Sequence, residues 1–200
     1  MKTTEIKIGG FGGQGVIMMG YVIGRAASIY AGGHATMTQA FGPEARGSAC
    51  SSQVIISPDP ILYPYVTLPE IMILMSQEAY SKFSPEIAKK GIMLVEKDLV
   101  KPEKVKEGVE VYAVPATRFA EELGLKIVLN IVMLGFFTGV TGLIDADSMR
   151  KAVEASVPEG TEKKNLQAFE KGYQYGVELM GKTGGTKAGG KKKKAAAKAK

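Results

Sequence analysis

Short apolar segments recur along the first part of the chain, with helical patterns between them. They predict six strands, at residues 5–9, 35–40, 50–57, 71–75, 91–96 and 109–114. The segments 71–75 and 92–95 are apolar at every position, which is typical of strands that are covered on both faces. Such strands, alternating with helices, predict an α/β fold in which helices flank a mostly parallel sheet.

Helical patterns lie between the predicted strands and dominate the chain after Gly124. The predicted helices are residues 16–30, a helix that begins at Ser84 and Pro85, and then residues 115–123, 126–141, 145–156 and 161 to about 180. The apolar stretch 127–140 contains Asn130 and is shorter than the roughly 20 residues that a membrane span requires. It predicts a buried helix, and we expect no membrane partner.

Charge divides the chain into a body and a tail. The formal net charge of +6 arises from residues 182–200, which contain eight lysines and no acidic residue, whereas residues 1–181 contain 18 basic and 20 acidic residues. The Lys-, Gly- and Ala-rich tail has no residue larger and more apolar than alanine, so we expect it to be disordered. Residues 1–181 then form one domain. Their balanced charge argues against nucleic acid as a partner.

The single cysteine, Cys50, excludes an internal disulfide and is typical of a cytoplasmic protein. No apolar segment of the signal-peptide type stands at the N-terminus, which also predicts a cytoplasmic location. One thiolate cannot hold a 4Fe–4S cluster, because such clusters take four. His34 has no second metal ligand near it, and Ser51 and Ser52 have no histidine partner nearby. We therefore predict no catalytic residue and no metal site in this chain.

A glycine-rich loop follows the first predicted strand and leads into the first predicted helix. Gly10, Gly12 and Gly15 fit the pattern G-x-G-x-x-G, and Gly13 and Gln14 complete the loop. In this Rossmann-like context, backbone N–H groups and the helix dipole can hold a phosphate or a pyrophosphate. The five residues are therefore candidate cofactor-binding residues.

Two other interpretations of this loop remain open. A nicotinamide dinucleotide would also require an acidic residue near the end of the second strand, and residues 35–41 contain none. Alternatively, the glycines bind no ligand and only let the first helix pack close to the sheet.

A second loop, residues 39–49, displays one acidic and one basic side chain, those of Glu44 and Arg46. We expect it at the same carboxyl edge of the sheet as the glycine loop, where α/β proteins bind ligands. Arg46 would there contact a phosphate or a partner subunit, and Glu44 would belong to the same site. The simpler interpretation is an exposed turn in which the two side chains pair, with little effect on stability.

Several blocks of sequence, in order and at similar spacing, resemble the gamma subunit of 2-oxoacid:ferredoxin oxidoreductases. The blocks are GGFGGQGV at 9–16, QAFGPEARGS at 39–48, MSQEAY at 75–80, VPAT at 114–117, and the stretch from VP at 157–158 to NLQAF at 165–169. The resemblance extends from about residue 4 to residue 180. The residues PEARG resemble the 2-oxoglutarate branch, because pyruvate subunits commonly have a second arginine at the position of Ala45. Ser48, where a second glycine is usual, and the Lys-rich tail depart from the pattern.

The resemblance implies a subunit of an enzyme that converts a 2-oxoacid and CoA to acyl-CoA and CO2 and reduces ferredoxin. Thiamine diphosphate with magnesium would be bound by alpha and beta subunits, and 4Fe–4S clusters by beta and a ferredoxin-like delta subunit. This chain alone would hold no cofactor. It would form a wall of the assembly and help to place CoA, whose phosphates suit the glycine loop and Arg46. The competing hypotheses are a free-standing nucleotide-binding oxidoreductase and a purely structural assembly subunit.

Overall fold

One six-stranded sheet forms the centre of the fold. The computed structural model of the chain describes residues 2–41 and 49–196, and for residue 126 and residues 183–196 it describes the backbone alone. The strands are β1 (Thr4–Phe11), β2 (His34–Ala40), β3 (Ala49–Ser57), β4 (Ile71–Leu74), β5 (Ile92–Glu96) and β6 (Glu110–Val114). All six predicted strands are confirmed, with bounds that differ by one or two residues.

The strand order in the sheet is β2-β3-β1-β4-β5-β6. The strands β1, β4, β5 and β6 run parallel to one another, whereas β3 is antiparallel to both of its neighbours, β1 and β2. Three of the five pairings are therefore parallel, which confirms the predicted mostly parallel sheet. The antiparallel direction of β3 was not predicted, because a strand buried on both faces has the same apolar pattern in either direction.

Helices connect and follow the strands. In the described residues the α-helices are α1 (Val16–Arg25), α2 (Gln77–Phe83), α3 (Ala116–Glu122), α4 (Leu129–Thr141), α5 (Ala146–Glu154) and α6 (Glu162–Ala196). The prediction of a helix that begins at Ser84 is wrong, because Ser84–Glu86 is a single 3-10 turn and α2 precedes it. Ser76 caps α2 by accepting a hydrogen bond from the Ala79 N–H. Pro85 suits the first turn of a short 3-10 segment as well as that of a longer helix.

The last helix is longer than predicted. The backbone of α6 continues as helix to Ala196, past the predicted end near residue 180 and into the tail, residues 182–200. The lysines and alanines of residues 191–196 favour a helix, whereas the four glycines and two threonines of residues 183–190 disfavour one, so composition alone does not account for this extension. The disorder of the tail and the domain boundary at residue 181 stay predictions.

Removal of the tail is expected to leave the stability of the domain unchanged. A chain that ends at Gly181 loses eight lysines that repel one another and no large apolar side chain. By calorimetry, its melting temperature should match that of the full chain within about 1 °C. A melting temperature several degrees lower would show that the tail packs on the domain.

The two faces of the sheet are covered unequally. Helices α1, α3, α4, α5 and α6 pack on one face, which we call the five-helix face, and α2 packs on the other, the α2 face. The largest fully buried side chains of the five-helix face include Ile6, Ile8, Met19, Ile23, Phe136, Phe137 and Phe169. The α2 face has a smaller core. The helix after β1 and the helix after β4 therefore lie on opposite faces.

Four glycines let α4 and α6 approach each other closely. They are Gly135 and Gly139 of α4 and Gly172 and Gly176 of α6. A Cβ atom on Gly135 would overlap the Phe169 carbonyl oxygen, and one on Gly172 would overlap the Val132 carbonyl oxygen. The contact is thus formed by backbone against backbone, and it leaves no space for a side chain.

Asp145 caps α5, and its Oδ1 atom accepts a hydrogen bond of 2.8 Å from the Ser148 N–H. This hydrogen bond lowers the pKa of Asp145. Because the pKa is lower in the folded than in the unfolded chain, the stabilisation is present above the unfolded pKa, about 4, and is lost as the pH falls through the folded pKa.

Asp145→Ala is expected to lower the free energy of unfolding by about 1 kcal/mol at neutral pH, and by less in acid, in urea denaturation. Asp145→Asn keeps an N-cap residue without a charge, so it should retain most of the stability at neutral pH and lose the acid dependence. Equal losses for the two variants at neutral pH would contradict the role of the cap.

Candidate functional site

The carboxyl ends of β1 and β4 lie side by side at the point where the strand order of the sheet reverses. From β1 the chain continues through α1 on the five-helix face toward β2, and from β4 it continues through α2 on the α2 face to β5. The register pairs Gly9 with Leu74, so both strands end at the same level. In open α/β sheets, ligands bind in the crevice at such a switch point. We call this part of the molecule the carboxyl edge.

The predicted glycine loop lies in this crevice. Gly10 is near the end of β1, and Gly12, Gly13, Gln14 and Gly15 connect β1 to α1. Gly13 and Gly15 have φ angles of 96° and 75°, in the left-handed region that favours glycine. A Cβ atom on Gly10 would lie 2.7 Å from the Gln14 Oε1 atom. The structure thus brings the five residues together and favours glycine at three of the positions.

The Gln14 side chain links the glycine loop by hydrogen bonds to the residue that follows β4. Its Oε1 atom accepts a hydrogen bond of 2.7 Å from the Phe11 N–H, and its Nε2 atom donates one of 2.9 Å to the Met75 carbonyl oxygen. Both ends of the side-chain amide are therefore used within the protein. Gln14 positions the loop, and its contact with a cofactor stays a prediction.

Two helices begin beside Gly15. Gly15 is the N-cap residue of α1, and no side chain among the described residues caps this helix, whose first turn has no acidic residue. Asn130, in the first turn of α4, is so close that a Cβ atom on Gly15 would overlap its Nδ2 atom. Asn130 is 7% exposed, and within the described ranges its amide makes no hydrogen bond. The free N–H groups of α1, the two helix dipoles and the Asn130 amide form an environment that attracts an anion.

The β2–β3 hairpin brings a second loop to the carboxyl edge. Strand β3 begins at Ala49, whose register partner is Phe11, the last residue of β1. The Ala49 N–H donates a hydrogen bond of 3.2 Å to the Glu78 Oε1 atom of α2. The loop therefore returns to the sheet at the carboxyl edge, as predicted. The candidate side chains of this loop, Glu44 and Arg46, lie outside the described residues.

A buried carboxylate at the end of β5 forms the other wall of the carboxyl edge. Glu96 is fully buried and accepts hydrogen bonds of 2.6 to 3.0 Å from the backbone N–H groups of Asp98, Leu99 and Thr117. It thereby ties the turn after β5 to the first turn of α3. The Thr117 hydroxyl is buried without a hydrogen-bond partner among the described residues. This wall was not predicted, and its only sequence signal is an acidic residue that ends an apolar strand.

The structure also places His34 and Cys50, two other residues considered from the sequence. His34 is an exposed residue at the start of β2, at the opposite edge of the sheet. Burial raises the pKa of the Cys50 thiol, whose side chain lies in the core of the five-helix face. Within the described ranges, no three His, Cys, Asp or Glu side chains are grouped so that they could hold a metal ion. None of the described helices combines the length and the apolar character that crossing a bilayer demands.

The fold and the site define a Rossmann-like α/β domain whose switch point is suited to an anion. Residues 5–175 match the family model of pyruvate ferredoxin/flavodoxin oxidoreductase. The chain is 50% identical over 177 residues to 2-oxoglutarate synthase subunit KorC of Methanocaldococcus jannaschii, covering 88% of this chain and 95% of that protein. It is 30% identical over 175 residues to pyruvate synthase subunit PorC of Methanothermobacter marburgensis, covering 85% and 96%. The keto/oxoacid ferredoxin oxidoreductase gamma subunit from Geobacter sulfurreducens superposes with a TM-score of 0.79 at 35% identity, covering 89% and 98%.

The chain therefore belongs to the pyruvate ferredoxin/flavodoxin oxidoreductase family, in which it is a gamma-type subunit of a 2-oxoacid:ferredoxin oxidoreductase. The resemblance drawn from the sequence blocks is confirmed. Membership in this family replaces the hypothesis of a free-standing nucleotide-binding oxidoreductase. The chain contributes to an oxidoreductase without being its catalytic centre.

Proposed function

We propose that this chain is the gamma subunit of a 2-oxoglutarate:ferredoxin oxidoreductase. The complex converts 2-oxoglutarate and CoA to succinyl-CoA and CO2 and passes the electrons to ferredoxin. Sequence identity supports this substrate, since it is 50% with a 2-oxoglutarate synthase subunit and 30% with a pyruvate synthase subunit over nearly the same length. The residues PEARG at 43–47 support the same substrate.

In this proposal the carboxyl edge binds CoA through its phosphate groups. The observation that carries the proposal is the convergence of two helices on Gly15, where α1 has no side-chain cap and Asn130 is buried. A phosphate at this position accepts hydrogen bonds from the first N–H groups of α1 and from the Asn130 amide. The space around Gly13 is open, since a Cβ atom there would meet no atom within 4 Å. The loop backbone can therefore approach the phosphate directly.

Arg46 and Glu44 belong to the same site. Arg46 stands three residues before Ala49, and three residues of chain span at most about 11 Å. Because Ala49 pairs with Phe11 beside the glycine loop, a span of this length would allow the Arg46 guanidinium to reach a phosphate bound at α1. Arginine binds phosphate through two parallel hydrogen bonds, and Glu44 would orient the guanidinium for this contact.

The thiamine and iron–sulfur chemistry belongs to other subunits of the complex. A 4Fe–4S cluster takes four thiolates, and this chain has one cysteine, which is buried. Its residues therefore do not fit a cluster. We propose alpha, beta and delta subunits as partners, with thiamine diphosphate and magnesium bound by alpha and beta, and the clusters by beta and delta. Ferredoxin binds to the complex through these subunits, and the complex works in the cytoplasm.

Activity should depend on assembly. The isolated chain is expected to reduce no viologen in the presence of 2-oxoglutarate and CoA, because it has neither a thiamine site nor a set of thiolates. Addition of the chain to the other subunits, purified without it, should restore CoA-dependent viologen reduction, with a higher kcat/KM for 2-oxoglutarate than for pyruvate. Viologen reduction by the isolated chain would contradict the assignment. A preference of the restored complex for pyruvate would contradict the substrate alone.

A further inference from the structure

A groove opens beside the N-terminus of α1, between this helix and β2. Its volume is about 550 Å³, and pockets for small molecules have about 300–1,000 Å³. The groove is lined by Ile17, Met18, Tyr21, Met37, Thr38 and Gln39, none of which is charged. Ile17 and Met18 are the second and third residues after Gly15, so a helix rise of about 1.5 Å per residue places the near end of the groove about 3–5 Å from Gly15 along the helix axis.

The β2 wall of the groove faces α1 and reaches toward the carboxyl edge. Side chains alternate along a strand, so Met37 and Gln39 lie on the same face of the sheet. This is the face on which α1 packs, because a Cβ atom on Gly20 would lie 3.2 Å from the Met37 Cε atom. The register pairs Gln39 with Ser52, and Ser52 with Ile8 of β1. Gln39 therefore lies close to the carboxyl edge, on the side of α1.

The side chains of the groove suit a flat aromatic base. Tyr21 is 54% exposed, and its ring offers a surface for stacking. The Arg25 Cζ atom lies 5.8 Å from the centre of this ring, and the contact limits the positions that the ring can take. Met18 and Met37 add thioether sulfur atoms, which contact aromatic rings favourably. Gln39 is exposed, and among the described residues its amide makes no hydrogen bond, so the amide is available to a ligand.

We propose that this groove binds the adenine ring of CoA, an inference that rests on the proposed phosphate site at Gly15. In CoA one ribose carries the adenine, the pyrophosphate and the 3′-phosphate, so the base must bind beside the phosphate site. The Gln39 amide donates a hydrogen bond to adenine N7 and accepts one from the N6 amino group, the pairing by which glutamine selects adenine. Tyr21 stacks on the ring of the base.

The two ends of CoA have different requirements. In the proposed function the thiol at the end of the pantetheine arm reacts at the thiamine diphosphate of other subunits, so this arm must extend away from the chain. The adenosine end takes no part in the reaction and can stay bound to this chain. A larger groove of about 810 Å³ on α5 and α6 suits it less, because Glu154, Glu162 and Glu170 line that groove and repel phosphate.

Deamino-CoA, in which hypoxanthine replaces adenine, tests the role of Gln39 in the assembled oxidoreductase. This analogue keeps every phosphate and exchanges the N6 amino donor for a carbonyl acceptor. The wild type should have a kcat/KM for CoA about tenfold above that for deamino-CoA. Gln39→Arg should reverse this preference, because arginine donates to O6 and N7 and cannot accept from an amino group. A wild type without a preference, or a Gln39→Arg complex with the preference of the wild type, would overturn the proposal.

Tyr21→Ala tests the stacking surface and should raise the KM for CoA about tenfold. The matched control is Ile29→Ala, which removes a 63% exposed apolar side chain of the π-helical turn Ala26–Tyr30, outside this groove, and should leave the KM unchanged. Asn130→Asp should raise the KM for CoA and for deamino-CoA by the same factor, because the two have the same phosphates. If only Asn130→Asp changes the KM, the phosphate site stands and the adenine groove fails. If none of the variants changes it, both proposals fail.

Discussion

Gly135→Ala and Gly172→Ala are each expected to lower the free energy of unfolding by about 3 kcal/mol or more, measured by urea denaturation. A methyl group on Gly135 would overlap the Phe169 carbonyl oxygen, and one on Gly172 would overlap the Val132 carbonyl oxygen. Backbone atoms inside a helix cannot rotate away from a clash, so α4 and α6 must separate. The separation loosens the most deeply buried part of the five-helix face, where close packing stabilises the fold.

Gly181, a glycine outside the contact between α4 and α6, provides the control. Gly181 lies in α6, and a Cβ atom there would meet no atom within 4 Å. Gly181→Ala should therefore raise the free energy of unfolding by up to about 1 kcal/mol, because alanine has the higher helix propensity. The double variant Gly135→Ala/Gly172→Ala should lose less than the sum of the single losses, because one separation of the helices relieves both clashes. If Gly135→Ala is as stable as the wild type, α4 and α6 do not approach as closely as described.

Arg46→Ala in the assembled oxidoreductase is expected to raise the KM for CoA about tenfold to a hundredfold. In the proposed site the substitution removes a charge-assisted hydrogen bond to a CoA phosphate, which is worth roughly 1.5–3 kcal/mol. The KM for 2-oxoglutarate should change little, because in the proposed function that substrate reacts with the thiamine diphosphate of other subunits. Initial rates of viologen reduction at varied CoA concentration measure both constants. Lys2→Ala, which removes an exposed positive charge at the opposite edge of the sheet, should leave the KM for CoA unchanged.

Asn130→Asp tests the described half of the same site. The substitution keeps the shape of the side chain and introduces a negative charge beside the N-terminus of α1. The aspartate should raise the KM for CoA by repelling its phosphate, whereas the two helix dipoles should preserve the stability of the chain. An Asn130→Asp complex with normal kinetics would contradict a phosphate site at Gly15.

The Arg46 variant also separates CoA binding from assembly. If Arg46 contacts another subunit, the variant complex should dissociate on gel filtration, and the intact fraction should keep its normal KM for CoA. If the complex assembles and all kinetic constants are unchanged, the loop is an exposed turn, and neither functional role of Arg46 holds.

The positions of the strands could be predicted from the sequence, and their order could not. Apolar runs such as 71–75 are local signals, and they fixed the strand bounds to within two residues. The place of β3 between β1 and β2 depends on pairing between distant segments. The pattern of apolar and polar residues does not indicate which segments pair. The spacing of Gly135 and Gly139 is visible in the sequence. The close helix contact that these glycines permit could not be predicted, because it depends on where α6 lies in the fold.

The same distinction applies to the candidate site. The glycine loop was predictable because its pattern is contiguous. The structural role of Gln14 was not, because its hydrogen-bond acceptor, the Met75 carbonyl oxygen, is 61 residues away. Asn130 did leave a signal, since it places an amide inside the apolar stretch 127–140. An amide buried in a core has a cost unless it is hydrogen-bonded, so its presence there indicates either an internal partner or a ligand.

The antiparallel strand β3 affects how this protein can diversify during evolution. In a sheet of parallel strands, a connection that leaves the carboxyl edge must cross to the amino edge, usually through a helix that packs on the core. The β2–β3 hairpin leaves the carboxyl edge and returns to it, so its loop can gain or lose residues while every core element stays in place. Selection can therefore change this loop, and with it the specificity of the proposed site, independently of the selection that maintains the fold.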